Sequence, residues 1–518
     1  MACCLLGLDV GAAGVKVGIF TLEGRQLGFA YVPHAAQHPR PGWAESSPEG
    51  WWHAAVEGIR TAIDKAGTAA QEIAAVGLST MCPALVPLDA GGKPLRPAIL
   101  FLDVRSTAQA ERLRRTVDPD EHWRITGNRI SPGTTSVTSI AWIRDNEPDV
   151  YARTAIFAHG NTYLAYRLSG KLGMDWTNAS FTGLFATGGA RDWSTELLAA
   201  FDIPAEKLPP TMPSSTRIGE VTREAAGATG LLSGTPVAIG AADTACAALG
   251  VGVVEQGQVF ETVGTSGVLA VCSAAPAFDK RFLNRCHSVG DLWLLMGATS
   301  APGASLAWFR DHFCEMEVQE AAAAGMDAYD LMCERAAQSP PGARRLLFLP
   351  YLSGERSPIW DPNARGVLFG LSLATTRADV TRAILEGTAF GLRQNVAVAE
   401  EILGKPFESI RLVGGGSRSP LWCQIKADVL GRPVQTGDYG EMAVLGAAML
   451  GGLAVGAYKD YGEAVRLASP KATARFEPRS ELRELYDELY AIFCALYSQL
   501  KPSFAAMARI EEEDKVVV

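Results

Sequence analysis

Two stretches, "LLGLDVGAAGVKVGIF" (5–20) and "GQVFETVGTSGVLAVC" (257–272), share one plan: a β-rich run, a Gly-x-x-Gly turn and a second β-rich run. Glycine supplies the positive φ that tight hairpins need. With no Cβ in the way it also lets backbone amides converge on an oxyanion. For either turn alone, hairpin and phosphate cradle both stay open. The recurrence of "GAAG" (11–14) as "GTSG" (264–267) implies two related halves, each opening on a phosphate-sized turn. We place the boundary near 250–256, giving domains over 1–252 and 253–518; no disordered linker separates them, so they pack face to face around a cleft.

Outward from these stretches, strand and helix signals alternate as in an α/β protein. With "QLGFAYV" (26–32) the chain opens on an antiparallel meander. A helix follows, with Ser47 as its cap, Pro48 at its first position, a stripe of Trp52, Val56, Ile59 and Ile63, and Gly67 past its end. "IAAVGLS" (73–79) and "ALVPLD" (84–89) return to strand, and helices dominate from about 105 to 205, interrupted by the polar "GMDWTNASFTG" (173–183). In "SIRLVGGGSRSPLWCQIKADVLG" (409–431) a strand runs into three glycines and then a helix opened by Ser419 and Pro420. A helix N-terminus adds free amides and a positive dipole end, which suits an adenosine or phosphate site.

The run "PVAIGAADTACAALGVG" (236–252) sets Asp243 where an apolar strand gives way to a small-residue helix. Asp at such a junction reads either as an N-cap or as a base aimed at a substrate hydroxyl beside a nucleotide. As a cap it would be held ionised by the helix dipole and amides.

A net charge of −9 argues against a nucleic-acid partner. No run approaches the length of a membrane span, and Asp9 and the missing basic start argue against reading 1–20 as a signal peptide. Ten cysteines without CxxC or zinc spacing favour a reduced, cytoplasmic protein. No GxxxxGK[ST] occurs, and no GxGxxG follows a strand to open a helix, which speaks against P-loop and dinucleotide folds.

Seven ordered blocks carry a resemblance: "GLDVGAAGVKVGIF", "PGWAESSPEGWW", "GAADTACAALGVG", "VGTSG", "LPYLSGERSPIWDPNARGVLFGL", "RAILEGTAFGLR" and "LVGGGSRSPLWCQIKADVLG". Over roughly residues 5–455 the chain resembles the FGGY carbohydrate kinases, most like the xylulokinases among them. The resemblance implies two ribonuclease H-like domains of the actin-like ATPase type with an interdomain cleft. The N-terminal domain holds sugar, first phosphate loop and catalytic Asp, and the C-terminal domain holds nucleotide. It further implies transfer of the γ-phosphoryl group of MgATP to a hydroxyl of a ketose, a pentulose such as xylulose first and ribulose, erythritol, ribitol or glycerol behind. It admits a homodimer.

Carried over by position, Asp243 matches the general base and Asp9 the acid that holds Mg²⁺. Gly11, Ala12 and Lys16 fall in the first phosphate turn, Gly264 and Thr265 in the second, Gly303 near the nucleotide, and Gly415, Gly416 and Ser419 on the adenosine side. Met81, Cys82, Phe101 and Asp103 match sugar-side positions, and Trp43 reads as core or cleft wall. Four positions depart from the pattern. Ala12 and Ala13 replace Thr and Ser, each lost hydrogen bond to a charged group costing about 1.5–3 kcal/mol. Cys82 stands where xylulokinases have His, and Ser139 where the signature has Lys. The two alanines motivate a second reading, a catalytically weak sugar or nucleotide sensor on the same fold.

Overall fold

The computed structural model describes residues 4–517 of the chain. Its frame is two sheets with one wiring. In the first, β1 (Cys4–Val10), β2 (Gly14–Thr21), β3 (Gln26–Pro33), β4 (Ile73–Thr80), β5 (Arg217–Glu220) and β6 (Pro236–Ala238) run in the order β5-β6-β4-β1-β2-β3. The β1–β2–β3 meander is antiparallel, β4 is parallel to β1, β6 is parallel to β4, and β5 closes the edge antiparallel. The second sheet takes β7 (Val259–Val263), β8 (Gly267–Ser273), β9 (Leu283–Cys286), β10 (Trp293–Thr299), β11 (Ile410–Val413), β12 (Val434–Gly437) and β13 (Ala472–Phe476). Its order, β9-β10-β8-β7-β11-β12-β13, repeats the antiparallel meander and the two parallel additions. The echo of the two Gly-x-x-Gly turns is thus a true structural repeat, with each turn joining the first two strands of its sheet.

The first helix forms as its caps require. Ser47 accepts a hydrogen bond from the Gly50 amide, Pro48 begins α1 (Pro48–Ala66), and Gly67 ends it at φ 60°. The buried face is wider than the expected stripe and includes Trp51, Ala55 and Ala62. β1 is buried along its whole length, because helices cover both faces of its sheet.

One of those helices comes from the other half. α2 (Asp243–Val251) follows the first sheet, while α6 (Met442–Ala454) follows β12, after α3 (Pro302–Phe313), α4 (Arg377–Leu403) and α5 (Pro420–Leu430). α6 lies against β1 and β4, where a Cβ on Gly7 would stand 2.0 Å from the Val444 carbonyl oxygen and one on Gly77 1.8 Å from that of Ala447. α6 also crosses α2 at small residues: a Cβ on Gly446 would meet the Cys246 carbonyl at 1.9 Å. The shared core runs from Leu5 and Ala75 of the first sheet to Phe260 and Ala270 of the second. Gly446→Ala is expected to cost about 1–3 kcal/mol through overpacking against rigid backbone, read as a lower denaturation midpoint; an unchanged midpoint would contradict this contact.

Among the described residues, no helix is long and apolar enough to cross a membrane.

Candidate active site

The glycine turns of the second half meet around one cavity. In the β7–β8 turn the Gly264 amide donates to the Ser266 carbonyl at 3.0 Å, and the Thr265 carbonyl accepts from the Ala304 amide in the first turn of α3 at 3.0 Å. The approach depends on Gly303, whose Cβ would lie 2.0 Å from the Gly264 carbonyl oxygen. Opposite, β11 is followed by Gly414 with φ 87°, a conformation that favours glycine. Ser419 then caps α5 by accepting from the Trp422 amide at 3.3 Å, with Pro420 as the first helical residue. Gly264, Thr265, Gly303, Gly415, Gly416 and Ser419 together line a cavity of about 460 Å³, within the range of small-molecule sites. Asp327, Tyr329 and Asp330, which sequence reasoning did not single out, complete its wall.

Gly11, Ala12 and Lys16 are not on that wall. They belong to the β1–β2 turn, closed by the Gly11 amide on the Gly14 carbonyl at 3.0 Å. Lys16 lies opposite Asp9 in the strand register, and its ammonium pairs with Glu441 at 2.6 Å across the two halves.

Asp9 and Asp243 stand together where β1 and β4 end. Asp9 is buried and accepts from the Ser79 hydroxyl at 2.6 Å. Residues Ala241 and Ala242 pair alongside Ser79 and Thr80, which brings Asp243 to the same strand ends. Burial pushes the Asp9 carboxyl up to about 7, helped by the charge of Asp243 and opposed by Ser79 and Lys16. Asp243 is likewise raised by burial, opposed by the charge of Arg285 and by the Thr244 amide and hydroxyl.

Two expectations for Asp243 need correction. The N-cap of α2 is Ala242, and Asp243 is the first helical residue, its carboxylate accepting from the Thr244 amide at 2.6 Å. Desolvation raises its carboxyl against the Arg285 charge and the Thr244 amide and hydroxyl, so the net shift is opposite in direction to the one expected of a helix end. A carboxylate raised from its ordinary range is the better proton acceptor. Its backbone is fixed from behind: the Ala242 amide donates to Thr177 Oγ1 at 2.7 Å, and that hydroxyl donates to the buried Asp175. Asp175 also holds the Thr177 amide at 2.9 Å and the Asn178 side chain at 2.8 Å. The polar interruption at 173–183 is therefore the support of Asp243.

On the sugar side, Met81 is buried beside Asp9, its amide donating to the Val10 carbonyl at 2.8 Å. Burial pushes the Cys82 thiol up to about 12, with Arg285, Asp175 and Asp243 as its charged neighbours. Asp103 corrects a further expectation. It is buried and accepts from the Ala44 amide at 2.6 Å and from the Arg105 amide and Nε at 2.9 Å, so it anchors a loop and has no oxygen to spare for a sugar. Phe101, at the start of that loop, is partly exposed. Trp43 stacks on Arg105, whose guanidinium carbon sits 3.6 Å from its ring centroid, and is a loop wall.

The structure adds polar groups that the motifs did not announce. Thr80 Oγ1 is buried without a hydrogen-bond partner, while close by the His159 ring interacts with the Asn178 side chain and the Arg285 guanidinium with the Cys82 thiol. Buried polar atoms are nearly always paired, so this polar cluster beside Asp243 is a candidate place for a polar ligand. Only the "DWTN" run (175–178) carried a visible signal.

The descriptions of known proteins agree with this geometry. Models of the FGGY family of carbohydrate kinases match the chain at residues 4–250 (N-terminal domain) and 260–455 (C-terminal domain). A xylulose kinase of Staphylococcus epidermidis is 30% identical over 508 residues, covering 98% of this chain and 99% of that protein. A gluconokinase of Bacillus subtilis is 28% identical, with 98% of each covered. The crystal structure of xylulose kinase from Rhodospirillum rubrum superposes with a TM-score of 0.87 at 32% identity, over 97% of this chain and 100% of that one. With both domain models matched in order and a relative 30% identical over nearly its whole length, the chain belongs to the FGGY family of carbohydrate kinases, a phosphotransferase that takes ATP and a sugar.

Proposed function

We propose that the chain transfers the γ-phosphoryl group of ATP to a hydroxyl of a small polyhydroxy acceptor, with Asp243 as general base and xylulose, named by several relatives, as the first acceptor to test. The division falls at 1–252 and 253–518, the first part holding acceptor and base, the second holding the nucleotide. The single observation that carries this reading is that Asp243 shares the β1 and β4 strand ends with Asp9 while the glycine turns of the second half converge on one nucleoside-sized cavity.

Adenosine lies against Gly415, Gly416 and Ser419, and the phosphates run toward the amides of the Gly264–Thr265 turn and the first turn of α3. The acceptor lies against Met81 and Cys82. Its hydroxyl oxygen forms the new bond to the γ-phosphorus, the bond to the β-phosphate oxygen breaks, and the hydroxyl proton passes to Asp243. Because the transition state of phosphoryl transfer is loose, positioning and charge stabilisation do most of the work. The buried Asp175–Thr177–Ala242 chain is the positioning element.

Among the described residues no cluster of three or more acidic, His or Cys side chains forms a metal cage. Mg²⁺ needs none, being held through one or two carboxylates plus phosphates. Asp9 fits that role: Ser79 takes its Oδ1, and among the described residues no hydrogen bond is given to its Oδ2. Bound there, Mg²⁺ would offset phosphate charge. The reduced cytoplasmic setting is proposed from the scattered cysteines of the sequence, which form no CxxC and no zinc spacing; a homodimer, admitted by the resemblance, is tested by the mass in solution.

The test is ADP release with ATP across xylulose, ribulose, erythritol, ribitol and glycerol. Turnover with at least one is expected. Sugar binding without ADP release from any acceptor would favour the sensor reading that Ala12 and Ala13 motivate.

A further inference from the structure

Glu355 has no part in the proton transfer, yet it is a carboxylate only 6% exposed, set in the run "SGERSPIWD" (353–361). Its Oε1 accepts from the Ser300 amide at 2.7 Å and from the Arg356 amide at 2.7 Å. Ser300 follows β10 and stands two residues ahead of Pro302, where α3 begins. The nucleotide cavity is one step further, since Gly303 and Ala304 line its wall.

α3 needs an outside hold. Its N-cap is Ala301, which has no side-chain oxygen to accept from the first turn, and Pro302 takes the first helical position without an amide. The helix start is fixed instead by the Thr265 carbonyl, which takes the Ala304 amide, and by Glu355, which takes the Ser300 amide just ahead of it. A carboxylate at this end also meets the positive pole of the helix dipole.

Glu355 is itself held rigidly. Its amide donates to the Asp361 carbonyl and its carbonyl accepts from the Asp361 amide, both at 2.9 Å. Gly354 turns into it at φ 72°, where a Cβ would lie 2.8 Å from the Pro362 carbonyl oxygen. The loop then runs beside β10, with Arg356 Nη2 donating to the Thr299 carbonyl at 2.9 Å and the Ser357 amide to the Ala298 carbonyl at 2.8 Å. Each of these partners belongs to the second half, whereas Met81, Cys82 and Asp243 belong to the first.

Resting on the kinase reading, we propose that Glu355 is a positioning residue for the nucleotide: by holding the Ser300 amide it sets the start of α3, and with it the contact of Gly303 on the Gly264–Thr265 turn. Reach matters here more than charge. Burial pushes the carboxyl up to about 7, opposed by the Arg356 and Ser300 amides, the Ser300 hydroxyl and the Arg356 charge, so a neutral acceptor of the same length serves as well.

The experiment measures the Kd of ATP by calorimetric titration and the KM values for ATP and D-xylulose, with denaturation midpoints, in the wild type and in Glu355→Gln, Glu355→Asp and Glu355→Ala. Gln keeps an acceptor oxygen at the same reach, Asp keeps the charge but draws it back by one methylene, and Ala removes both. The Kd and KM for ATP are expected to rise about 10-fold in the Asp and Ala variants, the size of one lost hydrogen bond to a charged group, and to stay within about threefold in Gln. The acceptor KM is expected to stay within about threefold in all three variants, well below the cost of such a bond. Unchanged ATP values in the Asp and Ala variants, even with a lowered midpoint, would overturn the inference and leave the kinase reading standing. An equal rise of both KM values would mean general loosening and overturn it, as would a Gln variant as impaired as Ala. Should the Ala variant fail to fold, the Gln and Asp pair decides the same question. A wild type that neither binds ATP nor turns over any acceptor would overturn the kinase reading itself, and the inference with it.

Discussion

Replacing Asp243 by Asn is expected to lower kcat by about 10³-fold or more, in line with the contribution of a positioned general base, and to leave ATP affinity within about threefold, far less than one lost charged hydrogen bond would cost. The amide keeps the shape and can still accept from the Thr244 amide, so α2 and its support by Thr177 stay in place. What it loses is a carboxylate that burial has moved toward the acceptor's proton. The nucleotide cavity does not include residue 243, which is why ATP binding is spared. Calorimetric ATP titration beside steady-state kinetics checks the split. Equal loss of binding and turnover would show that Asp243 serves the fold or the nucleotide rather than proton transfer.

The second large effect concerns Gly303. A Cβ there stands 2.0 Å from the Gly264 carbonyl oxygen, and both partners are backbone, so nothing flexible can yield. Gly303→Val forces the Gly264–Thr265 turn and the start of α3 apart. Overpacking costs of this kind convert to a KM for ATP raised by about 10- to 100-fold, with the acceptor KM little changed because the acceptor lies against the other sheet. The measurement is a pair of saturation curves, with thermal denaturation confirming the fold. An unchanged KM for ATP in a folded variant would remove the turn from the nucleotide site.

Much of this architecture was legible in the sequence, because repetition and glycine chemistry are local signals. The two strand–turn–strand units, the cap residues Ser47 and Ser419, and the glycines at 303 and 416, where a Cβ would press on Gly264 and Val263, each follow from requirements that only certain residues meet. What stayed hidden depends on distant partners. Nothing in "NRCHSV" (284–289) distinguishes Arg285 from a surface arginine on an edge strand; only the folded chain brings it to Asp243. Asp103 carries the right residue type for a sugar contact, but Arg105, two residues on, consumes its oxygens. The cap of α2 shifted by one residue because Ala242 is held in strand pairing with Thr80, which leaves Asp243 to begin the helix. The lodging of α6 on the first sheet is written in Gly7 and Gly77, yet glycines inside strands also read as bulges.

The account stands on acceptor and ATP meeting between the halves with Asp243 at the reacting hydroxyl. A crystal structure with a non-hydrolysable ATP analogue, Mg²⁺ and a turned-over acceptor tests this directly. It is expected to show one acceptor hydroxyl within about 2.6–3.2 Å of the Asp243 carboxylate, facing the γ-phosphate, with adenosine against Gly415 and Ser419. An acceptor bound away from Asp243, or adenosine outside the cavity lined by Gly264, Gly303 and Gly416, would contradict it.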